Sequence, residues 1–209
     1  MLKKLALFVF SFTVFLNANA QYAMGGDLNY KIFFDGGGMS NPSISLCFNK
    51  FLADGDVMFY SGIGFGFPKK FKSSLTAVAT DMTNPVQTVS VDYDLKYTNF
   101  YCDLGIGKIF GGDYDDGGFM AYGGLATIIS KYKGTIGTYD QSNYYLDNSG
   151  ITQGMNMAYG LKLGLGYLIR TGGLGITPHA DLTLPILNMT EGAIPTFISI
   201  GVQLSFYGD

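Results

Sequence analysis

Phe197-Ile198-Ser199-Ile200-Gly201-Val202-Gln203-Leu204-Ser205-Phe206-Tyr207, near the end of the chain, decides the fold. Side chains alternate across an extended strand, so Ile198, Ile200, Val202, Leu204 and Phe206, with Ile194 before them, fall on one face. Phe197, Ser199, Gly201, Gln203, Ser205 and Tyr207 fall on the other. Working back along the chain, Met155 to Arg170 repeats the pattern. Met155, Met157, Tyr159, Leu161, Leu163, Leu165, Tyr167 and Ile169 oppose a face that carries Asn156, Gly160, Lys162, Gly164, Gly166 and Arg170. A sheet with one apolar face and one face of glycine and scattered charge belongs to a barrel, either soluble or standing in a membrane.

The N-terminus and the composition choose between the two. Lys3 and Lys4 precede an apolar run from Leu5 to Leu16, and Ala18-Asn19-Ala20 has the small-x-small form of a signal-peptidase site. Residues 1–20 read as a secretory signal peptide cleaved after Ala20, since the run is shorter than the roughly 20 residues of a helical span. Charged residues are 14% of the chain, against about 25% in ordinary soluble domains. Aromatics reach 15%, and there are 30 glycines. No later stretch is long enough for a membrane helix, so a membrane protein of this sequence must be a closed barrel. The formal charge of −3 becomes more negative once Lys3 and Lys4 are removed, which argues against nucleic acid as a partner.

The mature chain, residues 21–209, reads as one domain: an all-β, closed antiparallel up-and-down transmembrane barrel of about eight strands. Strands are expected near Tyr22–Phe34, Ser43–Leu52, from Val57, up to Phe110, over Phe119–Lys131, up to Thr171, over Gly175–Leu187 and at the C-terminus. If both termini lie in the periplasm, the turns at 53–56, 111–118 and 171–174 fall on that side. The connections at 35–42, 68–87, 132–152 and 188–193 face outward. Two places resist the pattern. In the fourth strand Val89, Val91, Tyr93, Leu95 and Tyr97 have one parity, and Phe100, Cys102, Leu104 and Ile106 the other. A bulge near Thr98-Asn99 reconciles them, and so do two separate strands, which would bring the count to ten. In the fifth, Phe119, Ala121, Leu125 and Ile129 compete with Met120, Tyr122 and Ile128 for the lipid face.

The signal peptide, the alternating strands and the terminal Ser205-Phe206-Tyr207 together resemble the small outer-membrane β-barrel proteins of Gram-negative bacteria, of the OmpA/OmpX transmembrane type. The Tyr-, Asn- and Lys-rich loops look most like the Bacteroidota versions. The resemblance implies an outer-membrane location, outer-membrane lipid and lipopolysaccharide as surroundings, and the barrel-assembly machinery as a partner. A terminal aromatic helps that machinery recognise the chain, a role that falls here to Phe206 or Tyr207, although Gly208 and Asp209 follow them.

Candidate chemistry is sparse. His179, the only histidine, shares a strand face with Thr177, Asp181 and Thr183. Lipid-modifying barrel enzymes place such residues toward lipid, whereas this parity turns His179 toward the lumen, in a hydrogen bond or ion pair. Lys31, Asp103, Lys162 and Asp181 point inward by the same argument and should pair across the lumen, because eight strands leave room only for side chains. The alternative is a narrow aqueous pore with a charged constriction. Inward glycines such as Gly62, Gly64, Gly105, Gly107 and Gly164 make space for Met58, Tyr60, Tyr101 and Phe197. The turn Gly111–Gly118 holds Asp113, Asp115 and Asp116 but lacks the spaced ligands of a calcium loop, so no metal is assigned. Cys47 faces inward and Cys102 outward, so the two cannot be bridged. No cofactor-binding motif is present.

Function is then sought in the loops. Tyr132, Tyr139, Asp140, Asn143, Tyr144, Tyr145 and Asn148 offer an aromatic, hydrogen-bonding surface suited to a protein or glycan ligand. The same residues would also serve simply to shield the barrel mouth. The expectation is a non-enzymatic outer-membrane barrel with a structural or cell-surface interaction role. A small-solute pore is the first alternative, and a lipid-modifying enzyme or a soluble ligand-binding barrel comes after it.

Overall fold

The computed structural model describes residues 21–34, 40–52, 55–146, 153–190 and 194–208. The expected signal peptide lies outside them, as do Asn148, residues 35–39 and 191–193 of the outward connections and residues 53–54 of the first turn. The described residues form β1 (Tyr22–Phe33), β2 (Asn41–Phe51), β3 (Val57–Ala79), β4 (Thr88–Phe110), β5 (Gly118–Ile136), β6 (Tyr144–Tyr145), β7 (Gln153–Thr171), β8 (Leu174–Asn188) and β9 (Phe197–Gly208). All pairings are antiparallel. The strands run in ring order β2-β1-β9-β8-β7-β5-β4-β3, and β2 and β3 close the ring. β1 and β9 pair from Tyr22 with Gly208 to Phe33 with Phe197, which hides the edges that two free terminal strands would expose. β6 is a two-residue addition to β3, through Val78 with Tyr145 and Ala79 with Tyr144. Eight strands therefore make the wall, and the ten-strand alternative is excluded because Thr88–Phe110 is one continuous strand.

The terminal strand has the expected parity: Ile200, Val202, Leu204 and Phe206 are exposed outward, while Ser199 and Ser205 are buried inside. Ile194 departs from it. This residue precedes β9 and is buried with Phe33, Tyr101, Ile128, Ala158 and Phe197. In β5, Met120 and Ile128 are buried inside while Phe119 and Leu125 face out, so the lumen wins the contested apolar set.

β4 contains no bulge at Thr98-Asn99. Its odd-numbered residues point inward throughout, from Ile109 through Tyr101 to Tyr93 and Val91. What changes along it is the surroundings. Phe100, Leu104, Ile106 and Phe110 face out from the lower part, with Lys108 near its end paired to Asp56, and Ser90, Asp92, Asp94 and Lys96 face out from the upper part. Ten residue steps from Phe100 to Phe110, at ~3.3 Å per step and a tilt of ~40°, give an apolar band about 25 Å tall, the height of an outer-membrane hydrocarbon layer.

A register shift lies instead in β3, against β4 between Gly66 and Lys69, around Phe67-Pro68, and a second lies in β8, where Tyr159 and Gly160 of β7 pair with Leu187 and Pro185. Proline cannot donate to the ladder and is tolerated in strands mainly at edges and bulges. Before the shift in β3 Met58 and Tyr60 are buried; after it, Ala77 is. The stretch expected as a loop over 68–87 is thus mostly strand, and only 80–87 connects β3 to β4. Tyr132, expected in a loop, belongs to β5 and contacts Tyr97, with ring centroids 6.1 Å apart.

Candidate functional site

The barrel interior is layered. At the end that carries both described termini, Phe51, Met58, Ile109, Met120 and Leu168 form an apolar plug with Tyr114 and Tyr207 packed on it. Arg170 seals this plug. Its guanidinium carbon sits 3.9 Å from the Tyr207 ring centroid, Nη1 donates to the Tyr114 carbonyl at 2.9 Å and Nε donates to the Gly172 carbonyl at 2.7 Å. Tyr207 therefore faces the lumen, whereas Phe206 stands 68% exposed on the outer face, so of the two assembly candidates only Phe206 presents itself outward.

A polar layer follows. Lys162 Nζ lies 2.8 Å from Asp103 Oδ2 and 3.3 Å from Asp181 Oδ2. His179 Nε2 lies 2.9 Å from Asp27 Oδ1, and its Nδ1 lies 3.3 Å from Asp181 Oδ2, within ion-pair range but misaligned for a hydrogen bond. Tyr122 donates its hydroxyl to Asp181, Asn29 Nδ2 donates to Asp27 Oδ2 at 2.6 Å, and Ser43 donates to Asn29 Oδ1. The network thus runs from β2 through β1, β8, β5 and β7 to β4, tying strands on opposite sides of the wall.

Glycine makes room for it: a Cβ on Gly164 would collide with the Tyr122 ring, and one on Gly105 with Tyr60. Beside the network is a cavity of about 40 Å³ lined by Tyr60, Cys47, Asn49, Lys162 and His179. It has room for only a few waters, and the Tyr60 hydroxyl on its wall makes no hydrogen bond among the described residues.

Above this layer Phe33, Tyr101, Ile128, Ala158, Ile194 and Phe197 form a second apolar plug. Lys31 sits within it. Its Nζ donates to Ser199 Oγ at 3.0 Å and lies 4.2 Å and 5.2 Å from the Tyr101 and Phe197 ring centroids.

Of the inward residues expected from sequence, Asp103, Lys162, His179 and Asp181 come together, and Lys31 stands apart. Asp27, Asn29 and Tyr122 were missed. Asp27 and Asn29 share the parity of Lys31 on β1 and were findable; Tyr122 was hidden by the ambiguity of β5. Cys47 and Cys102 lie on opposite sides of the wall, Cys102 exposed.

Beyond the second plug, β3, β4 and β5 continue as an outer extension. Ala77, Val91 and Leu146 are its core, with Tyr139 and Tyr144 packed against them. Asp140 shapes the loop over it. Its Oδ1 accepts from Ser142 Oγ at 2.5 Å and from Ser142 N at 3.0 Å, and its Oδ2 accepts from Asn143 Nδ2 at 2.7 Å. These side-chain and backbone donors hold its carboxyl below the usual carboxylate range. Tyr145 stands 63% exposed on β6. At the other end of the barrel, Asp113 Oδ1 accepts from the backbone N–H of Asp115 and Asp116 at 2.7 Å and 3.0 Å, so this carboxylate serves the turn. Among the described residues no group of three or more metal-ligating side chains is found.

Solved structures share this architecture. A major outer membrane protein from Thermus thermophilus superposes over 91% of this chain and 100% of its own, with a TM-score of 0.53 and 10% identity. This is an outer-membrane β-barrel fold. Similar too are Neisserial surface protein A, at 9% identity over 91% and 96% of the two chains, and the N-terminal β-barrel domain of Pseudomonas aeruginosa OprF, at 12% over 91% and 100%, each with a TM-score of 0.40. No protein-family model matches the chain, and no curated protein matches it in sequence.

Proposed function

We propose that the protein is an integral outer-membrane barrel without enzymatic activity, closed through its lumen and working at its outer end as a structural or cell-surface interaction component. The observation that carries this reading is the outer extension: three wall strands run on past the apolar band and form a second core that holds Tyr139, Asp140, Asn143, Tyr144 and Tyr145 in a fixed arrangement. A loop that only shielded the mouth would need no core of its own. Two apolar plugs with a paired ionic layer between them support a non-conducting lumen. On this reading the chain enters the outer membrane of a Gram-negative cell after cleavage behind Ala20. It is of the small OmpA/OmpX type, with Bacteroidota-like loops, and Phe206 offers itself to the assembly machinery.

The test uses residues 21–209 folded into liposomes. Gel mobility that shifts on boiling, without single-channel conductance, is the expected result; steady conductance would replace this reading with the pore. Binding to arrays of glycans and peptides should then fall on Tyr145→Ser while the gel shift is kept. A ligand retained by Tyr145→Ser would remove the loop from the reading.

A further inference from the structure

The outward face of the extension carries charge of both signs: Lys72 on β3 lies opposite Asp94 on β4, and two residues nearer the apolar band the charge is all positive. Lys96 on β4 lies directly opposite Lys70 on β3 and Lys133 on β5, so three ammonium groups form a row across three neighbouring strands. Adjacent strands are about 4.8 Å apart, and like charges placed directly opposite one another are destabilising. Lys131 stands two residues nearer the apolar band, its Nζ 5.8 Å from the Phe100 ring centroid. Among the described residues no carboxylate lies within ion-pair distance of these four lysines. Lys96, Lys131 and Lys133 also line a shallow groove with Thr98, Gln153 and Met155. Across the barrel, the outward rim positions Phe34, Leu187 and Met189 are exposed and apolar and carry no cation.

We infer that Lys70, Lys96, Lys131 and Lys133 form a binding site for the phosphate groups of phosphorylated glycolipid headgroups in the outer leaflet. The inference rests on the outer-membrane reading above and adds a lateral ligand to it. The lysines point sideways from the wall rather than up from the tip, and they begin directly beyond Phe100, where the apolar band ends. A ligand there must bring negative charge at headgroup height and apolar matter below it, to lie against Phe100 and Met155, which are 39% and 49% exposed. A phosphorylated glycolipid has both. An anion shared by the three lysines also removes the repulsion that the row otherwise imposes on the sheet.

The test uses the mature barrel in neutral detergent, with bisphosphorylated lipid A, dephosphorylated lipid A and inorganic phosphate as probes, and native mass spectrometry to count retained ligand. Each lysine near an anionic surface contributes about fivefold in affinity, so the triple variant Lys70→Gln, Lys96→Gln, Lys133→Gln should lose about a hundredfold for the bisphosphorylated form. Lys108→Gln, at the opposite end and paired with Asp56 at 2.7 Å, should bind as the wild type does. Retention should also fall with added salt. Equal retention of the two lipid A forms, or a heat-modifiable triple variant that binds as well as the wild type, overturns the site. Displacement by equimolar inorganic phosphate overturns the glycolipid as its ligand. A wild type whose gel mobility never shifts on boiling overturns the membrane reading itself, and the site with it.

Discussion

Replacing Lys162 by methionine should weaken the barrel by about 3 kcal/mol, the low end of the roughly 3–5 kcal/mol that follows when one partner of a buried ion pair is removed. Its ammonium is the cation that Asp103 and Asp181 share, and the side chains of these two are 19% and 2% exposed. The loss falls unevenly. Asp181 keeps Tyr122 as a donor and His179 beside it, whereas Asp103 loses its ion-pair partner and faces the small cavity. Water entering that cavity would soften the penalty, which is why the low end is expected. Removing the orphaned charge as well, in Lys162→Met with Asp103→Asn, should restore most of the stability. The chain has no tryptophan, so urea unfolding in lipid vesicles is best followed by far-ultraviolet circular dichroism and gel shift. A loss under about 1 kcal/mol for the single variant, or a double variant no more stable than the single, would refute the view that Lys162 neutralises Asp103 and Asp181 as one ionic unit.

Leu163 sits midway between Tyr159 and Tyr167 on the outer face of β7, and Leu163→Arg should cost ~2–4 kcal/mol in the same urea assay, with a smaller cost if that face does not meet lipid. Arg170→Ala removes two carbonyl hydrogen bonds and the Tyr207 stack, so a loss of about 2 kcal/mol is expected, still with no conductance because two further layers remain. Leu146→Ala hollows the outer core at a cost of about 2 kcal/mol. It should speed proteolysis of the outer loops while the gel shift survives; loss of the shift would show that extension and barrel fold as one unit. The lowered carboxyl of Asp140 keeps its turn formed above the ordinary aspartate range and gives it up as pH falls through that lowered pKa, which the Ser142 amide resonance should report. An Asp140→Asn variant with the same profile would refute this.

Strand parity was legible because lipid and lumen impose opposite demands on alternate residues, and β7 and β9 obey both. It failed where one of those demands changes. Along β4 the apolar residues change parity at Thr98, yet the backbone does not: outside the bilayer the outward face becomes polar and the inward face apolar. Sequence reasoning that equates apolar with outward must then invent a bulge. The bulges that are present, in β3 and β8, left only Pro68 and Pro185 as their signs. In β5 the two plugs place apolar side chains inside as well as outside, so hydrophobicity alone could not rank the faces. The ionic layer was legible in Asp103, Lys162, His179 and Asp181, because charge on the lumen side of a narrow barrel has nowhere else to go.

Because β4 keeps one inward face from Ile109 to Val91, the outer extension is a prolongation of the wall and not a module hung from it. From Phe100 to Thr88 the strand advances about 40 Å, or roughly 30 Å above the bilayer at the usual tilt. No hinge interrupts that path. On the outer-membrane reading proposed above, the exposed tip is a mast of set height and bearing, one that would meet whatever approaches the cell at a fixed stand-off and pass any sideways load straight into the barrel.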